Sequence, residues 1–128
     1  MSLANVSLGE LEREVLELLW REARPLAPGD VASALGGNLA YTTVMTVLVR
    51  LHEKGVVRRE KDGRAFLYEP RIARDAFVAG RALEALRSGK GSPDRGTLLA
   101  FLDSAEKTDP AIIDRLSALI DERRKAKG

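Results

Sequence analysis

Thr42, Thr43, Thr46 and Arg50, with Glu53, fall on one side of a helical wheel at roughly 100° per residue. Val44, Val47, Leu48 and Leu51 fall on the other. Threonine is a middling-to-poor helix former, so exposed threonines on such a face are not there for helix propensity. Their hydroxyls can bond phosphates or base edges, and their methyls can meet a thymine methyl. Arg50, two turns along, can reach phosphate or guanine. A second basic group, Arg58, Arg59, Lys61 and Arg64, follows closely in the chain. Earlier, Glu10, Glu12, Glu14, Glu17 and Glu22 outnumber Arg13 and Arg21. Such a dipolar layout suits a protein that presents one face to a polyanion, although the net charge is only +2.

Other chemistry has little to work with. The chain has no cysteine and a single histidine, His52. That excludes disulfides, thiol nucleophiles, cysteine-ligated zinc and histidine-rich metal sites. Glu12, His52 and one of Ser33, Ser88 or Ser104 make a nominal hydrolytic set, but nothing in their spacing supports a triad. Gly36-Gly37 and Gly89-Lys90-Gly91 lack the strand–loop–helix context of a phosphate-binding loop. Trp20, Tyr41, Phe66 and Tyr68 read as core aromatics rather than stacking platforms. No metal, organic cofactor or enzymatic activity is expected. No run approaches the roughly 20 apolar residues of a membrane span, and no leader with a cleavage site is visible, so a cytoplasmic location is expected.

The elements that must position the outward face read as follows. Residues 1–7 form a patternless tail, except that Ser7 and Glu10 are spaced as a capping box. Leu8, Leu11, Val15, Leu18 and Leu19 predict a first helix from about Leu8 to Ala23, stopped by Pro25. Pro28 suits the first turn of a short second helix that ends at Gly36-Gly37. The stretch from Tyr41 is rich in β-branched residues, yet its period is helical and it runs to a natural cap at Gly55. Val56–Glu60 and Ala65–Pro70 flank Asp62-Gly63, a strong hairpin signal. Three helices and a hairpin in this order make a winged helix-turn-helix domain over residues 8–70.

Residues 71–128 read as helical. Ile72, Ala76, Ala79, Leu83 and Leu86 mark one helix, Ser88–Pro93 a linker, and Leu98, Leu99, Phe101 and Leu102 a second helix. The last helix, opened by Pro110, carries the seam Ile112, Ile113, Leu116, Leu119 and Ile120. This half alone can bury too little surface to be stable, so the seam needs a partner. It can fold back on the first half or meet its own copy, and a symmetric homodimer is the expected solution.

Three strings, Leu8-Gly-Glu-Leu-Glu-Arg-Glu-Val-Leu-Glu-Leu-Leu-Trp20, Ala40-Tyr-Thr-Thr-Val-Met-Thr-Val-Leu-Val-Arg-Leu51 and Lys54-Gly-Val-Val57, together resemble the penicillinase-repressor (BlaI/MecI) family, in its actinobacterial form. The resemblance implies a homodimeric winged-helix transcriptional repressor on a palindromic operator of β-lactam-resistance or cell-envelope genes. It implies that the third helix enters the major groove, with Thr42, Thr43, Thr46 and Arg50 outward and Met45 at the edge of that surface. The hairpin residues Arg58, Arg59, Lys61 and Arg64 then stand as a phosphate-contacting wing. The C-terminal helices form the dimer, which groups Leu98, Phe101 and Leu102 with the seam of the last helix. Resistance-type members are inactivated by proteolysis in that region under a membrane sensor. The corresponding bond here is Ala100–Phe101, where the usual Asn is replaced by Ala. Copper-responsive relatives carry a C-terminal cysteine cluster, which this chain lacks.

The sequence thus predicts a mainly α fold: a winged helix-turn-helix domain of three helices and a hairpin, followed by a helical dimerisation region over 71–128. The expected partners are double-stranded operator DNA, a second copy of the chain and a membrane sensor protease system. A winged-helix module that binds protein rather than DNA is the competing reading, and a salt-dependent shift with duplex DNA separates the two.

Overall fold

A computed structural model describes residues 8–87 and 91–128. The elements run α1 (Glu10–Glu22), α2 (Pro28–Ala34), α3 (Tyr41–Glu53), β1 (Val57–Asp62), β2 (Ala65–Pro70), α4 (Arg74–Arg87), α5 (Arg95–Thr108) and α6 (Pro110–Lys127). The chain divides into two compact units, one ending at Leu83 and the other spanning Glu84–Gly128.

The first unit is a winged helix built around one apolar core. The expected stripe of α1 supplies Val15, Leu18 and Leu19, joined by Leu16. Helix α2 adds Val31, and α3 adds Val44, Val47, Leu48 and Leu51. The four α3 positions are those the period assigns to the inner face, so the β-branched composition did not prevent a helix. Burial of that stripe stabilises it, each full side chain by about 1.5–3 kcal/mol. Helix α3 ends where Gly55 turns left-handed at φ +80°, and the Val56 N–H bonds back to Leu51 O at 3.2 Å. This is the geometry in which glycine closes a helix most cheaply.

The hairpin pairs β1 and β2 antiparallel, from Val57 opposite Pro70 to Asp62 opposite Ala65. Its two-residue turn is Gly63-Arg64, with Gly63 at φ +65°. Tyr68 is fully buried. Leu26, in the connection between α1 and α2, exchanges both backbone hydrogen bonds with Tyr68, at 2.9 and 2.8 Å. The wing is therefore stitched to the helices by a single-residue third strand.

Several boundaries differ from expectation. Helix α1 starts at Glu10 with Gly9 as N-cap and no side-chain cap bond, so its start does not coincide with Ser7, which lies outside the described residues. It ends at Glu22, before Pro25 can act, because Ala23 adopts φ 54° and donates its N–H to Leu19 O. Tyr41, expected in the core, is 55% exposed, because the first turn of α3 stands outside the packed region. Trp20 is half-buried and Phe66 partly buried against the core.

The first unit also runs past the boundary placed at residue 70. Phe77, on α4, is buried and meets Trp20 with ring centroids 5.6 Å apart. Trp20 Nε1 donates to Ile72 O at 2.9 Å, and Arg74 Nε bonds both oxygens of Glu17 at 3.0 and 3.1 Å. Those contacts draw the start of α4 onto α1. The stripe expected on α4 missed Phe77, and its Leu83 is exposed.

In the second unit α5 and α6 pack on each other, joined through Asp109. Asp94 caps α5, accepting from the Thr97 N–H at 2.7 Å. Pro110 opens α6 as expected. No described residue of this unit is fully buried. Within the linker expected over 88–93, residues 88–90 lie outside the described residues.

Candidate nucleic-acid interface

Helix α3 has one face committed to the core and one open to solvent. Thr42, Thr46 and Arg50 recur every four residues and are all exposed, so they form one ridge. Beside it runs a second ridge, Met45, Val49 and Glu53, of which Met45 and Val49 are half-buried and Glu53 is exposed. Met45, Thr46, Val49, Arg50 and Glu53 line a shallow depression between the two. Thr43 sits at the flank, half-buried, closer to the core side than the wheel suggested. Thr46 Oγ1 donates to Thr42 O one turn earlier, at 2.9 Å. Val49 lies near the middle of the open face and was missed by the sequence reading. Its apolar character drew attention to packing, although its angular position alone placed it outward.

The orientation of α3 is fixed at its far end. Lys54, the residue after the helix, bonds Glu12 of α1 through Nζ and Oε2, and the Glu12 side chain is only 11% exposed. The pair gives Glu12 a structural partner, while His52 is half-buried near the end of α3. Among the described residues no cluster of His, Asp and Glu is arranged to hold a metal ion.

The four basic hairpin residues are not equivalent. Arg58 Nε bonds Glu69 across the strands at 2.7 Å, in an exposed ion pair. Arg59 lies over the Phe66 ring, 4.2 Å from its centroid, and its Nη1 reaches Tyr68 Oη at 3.5 Å. Lys61 and Arg64 are exposed and have no ion-pair partner among the described residues. Two cations are thus held within the wing and two project from its tip.

The residues expected at a subunit interface stand on the second unit. Leu98, Phe101, Leu102, Leu119 and Ile120 are exposed, with Leu119 at 59%. Ile112, Ile113 and Leu116 are half-buried. Ala100 and Phe101 are exposed in the middle of α5. Among the described residues no helix is long and apolar enough to cross a membrane.

Comparison with known proteins bears on the whole chain. The family described as Penicillinase repressor matches residues 8–122. The transcriptional regulator BlaI of Mycobacterium tuberculosis is 44% identical over 106 residues, which are 81% of this chain and 77% of that protein. The penicillinase repressor of Bacillus licheniformis is 23% identical over 122 residues, 94% of each chain. The solution structure of the DNA-binding domain of the repressor BlaI is 28% identical, covers 57% of this chain and 88% of its own, and superposes with a TM-score of 0.48. The extent of the family match, with the identity to the mycobacterial regulator, places the chain in the penicillinase-repressor family.

Proposed function

We infer that this chain is a DNA-binding transcriptional repressor that acts as a homodimer on a palindromic operator. The observation that carries the reading is the two-faced third helix. Its inner face is spent on the core, while Thr42, Thr46 and Arg50 stand in a row on the outer one. In a winged helix that outer face meets the major groove, where hydroxyl and guanidinium groups distinguish base edges. Thr43 and Met45 border the reading surface. Lys61 and Arg64 contact phosphates from the wing tip, with Arg58 and Arg59 contributing less because each already has an internal partner.

Residues 8–70 read DNA in this proposal, and residues 71–128 join the two protomers. Leu98, Phe101, Leu102, Ile112, Ile113, Leu116, Leu119 and Ile120 supply the apolar contact. The protein works in the cytoplasm on genes of β-lactam resistance or the cell envelope. A membrane sensor system releases it by cleavage at Ala100–Phe101. That bond lies within α5, so cleavage requires the helix to unwind locally.

Titration of the protein with selected and scrambled duplexes at several salt concentrations tests the reading. Thr46→Ala is expected to lower the preference for the selected site by about 1–3 kcal/mol. Lys61→Ala or Arg64→Ala is expected to weaken both duplexes alike and to reduce the salt slope by about one, since each removes one cation that neutralises a phosphate. Selected half-sites are expected about 10 base pairs apart, or a multiple of that. Failure to prefer any duplex over random sequence overturns the reading.

A further inference from the structure

We propose that the depression between the two outer ridges of α3 is a pocket for the 5-methyl group of one thymine in each half-site, with Val49 as the residue that reads it. The proposal rests on the DNA-binding reading above and names what that surface recognises.

Val49 is not part of the core stripe of α3. The inner face of α3 is complete with Val44, Val47, Leu48 and Leu51, each 4% exposed or less. Val49 stands well around the helix from that stripe, is half-buried and lines the depression. A β-branched residue is also a mediocre helix former, so propensity does not account for it. With Met45 one turn earlier it makes one apolar side of the depression on a face otherwise polar. Thr46 and Arg50 form one rim, and Glu53 closes the end.

The rim decides the occupant. A phosphate oxygen brought beside Glu53 would meet a like charge, and like charges at close range repel. Arg50 can take a phosphate or a base edge, but a phosphate seated against Met45 and Val49 would lay a charge on apolar surface, so a base edge is the better fit. In the major groove thymine alone among the four bases presents an apolar group, its 5-methyl. An apolar side wall beside an arginine that can engage the neighbouring base suits that edge better than any other.

The test uses the full-length protein. A binding site is first selected from a pool of random duplexes. Each thymine of the half-site is then replaced by deoxyuridine, which removes only the methyl. Wild type is expected to lose roughly fourfold in affinity at one thymine per half-site, the scale of one buried methyl. Val49→Ala is expected to bind thymine and uracil duplexes equally at that position. Alanine is the better helix former, and circular dichroism verifies that the variant folds. Thr46→Ser, which removes only the Thr46 methyl, is expected to keep the discrimination. If no thymine replacement weakens wild-type binding, or if the penalty survives in Val49→Ala, the pocket proposal is overturned while the repressor reading stands. If the penalty vanishes in Thr46→Ser and persists in Val49→Ala, the reader is Thr46 and the proposal is equally overturned. If selection yields no preferred duplex, the repressor reading itself fails.

Discussion

The two units of this chain stand on different physical footing. Every fully buried apolar side chain among the described residues belongs to the unit that ends at Leu83. The unit of Glu84–Gly128 buries none, yet it carries exposed Leu98, Phe101, Leu119 and Ile120 along two mutually packed helices. Apolar surface removed from water is the dominant favourable term in folding. One unit obtains it from its own residues, whereas the other displays apolar surface that its own two helices leave exposed. Under the proposed dimer, one chain carries two kinds of stability, the first independent of concentration and the second tied to it by mass action.

That contrast can be broken at either end. The largest effect is expected inside the winged helix. Leu48 is fully buried on α3, and Leu48→Ala is expected to destabilise the unit by about 2–5 kcal/mol. The single tryptophan, Trp20, packs on Phe77 and reports the transition by fluorescence in a denaturant titration. Next comes the helical unit. Ile120→Asp is expected to weaken self-association by at least roughly tenfold, since an apolar contact cannot accept an unpaired charge. It is expected to leave the Trp20 transition of the monomer in place. Sedimentation equilibrium measures this, and a wild-type protein that sediments as a monomer at micromolar concentration would erase the contrast.

Two smaller effects sharpen it. Glu12→Ala removes an ion-pair partner of Lys54 at the join of α1 and α3 and is expected to cost about 1–3 kcal/mol in the same denaturant titration. The smallest effect belongs to the second unit and depends on pH. The Thr97 N–H holds the Asp94 carboxyl below the usual carboxylate range. A depressed folded-state pKa means that the cap contributes stability above the unfolded value, near 3.9, and loses it as pH falls through the lower folded value. Circular dichroism is expected to show a slight loss of helix below about pH 4 in the wild type. Asp94→Asn, which still caps but does not titrate, is expected to lessen that loss.

How much of this was legible in the sequence follows the same divide. Helix α3 was readable because its inner stripe is a local pattern, strong enough to outvote β-branched composition at Val44 and Val47. The hairpin was readable because Asp62-Gly63 marks it locally, although the turn itself falls one residue later, at Gly63-Arg64, and Asp62 pairs with Ala65. Phe77 was not, because its burial comes from a contact with Trp20 that is remote in sequence, and the α4 stripe without it pointed elsewhere. The cap of α5 at Asp94 escaped notice because the apolar pattern begins only at Leu98. At the end of α1, Pro25 was the visible stop signal, but Ala23 had already left the helix in a left-handed conformation that alanine rarely adopts. On the outer side of α3, the exposure of Thr42, Thr46 and Arg50 followed from the wheel, whereas the inequality among the wing cations did not. That Arg58 answers Glu69 and Arg59 answers Phe66 is decided by strand register, which no spacing along one strand discloses.

If α3 enters the major groove as proposed, the hydrogen bond from Thr46 to the Thr42 carbonyl has a consequence for discrimination. A free hydroxyl is ambidextrous, able to give a proton or to receive one. A carbonyl oxygen can only receive, so Thr46 has its hydrogen turned inward along its own helix. What it shows the groove is a lone pair and a methyl. Such a group can be answered by the amino hydrogens of adenine N6 or cytosine N4, and not by guanine O6 and N7 or thymine O4. The polarity of one contact is thus set by a backbone atom four residues away, before any duplex arrives.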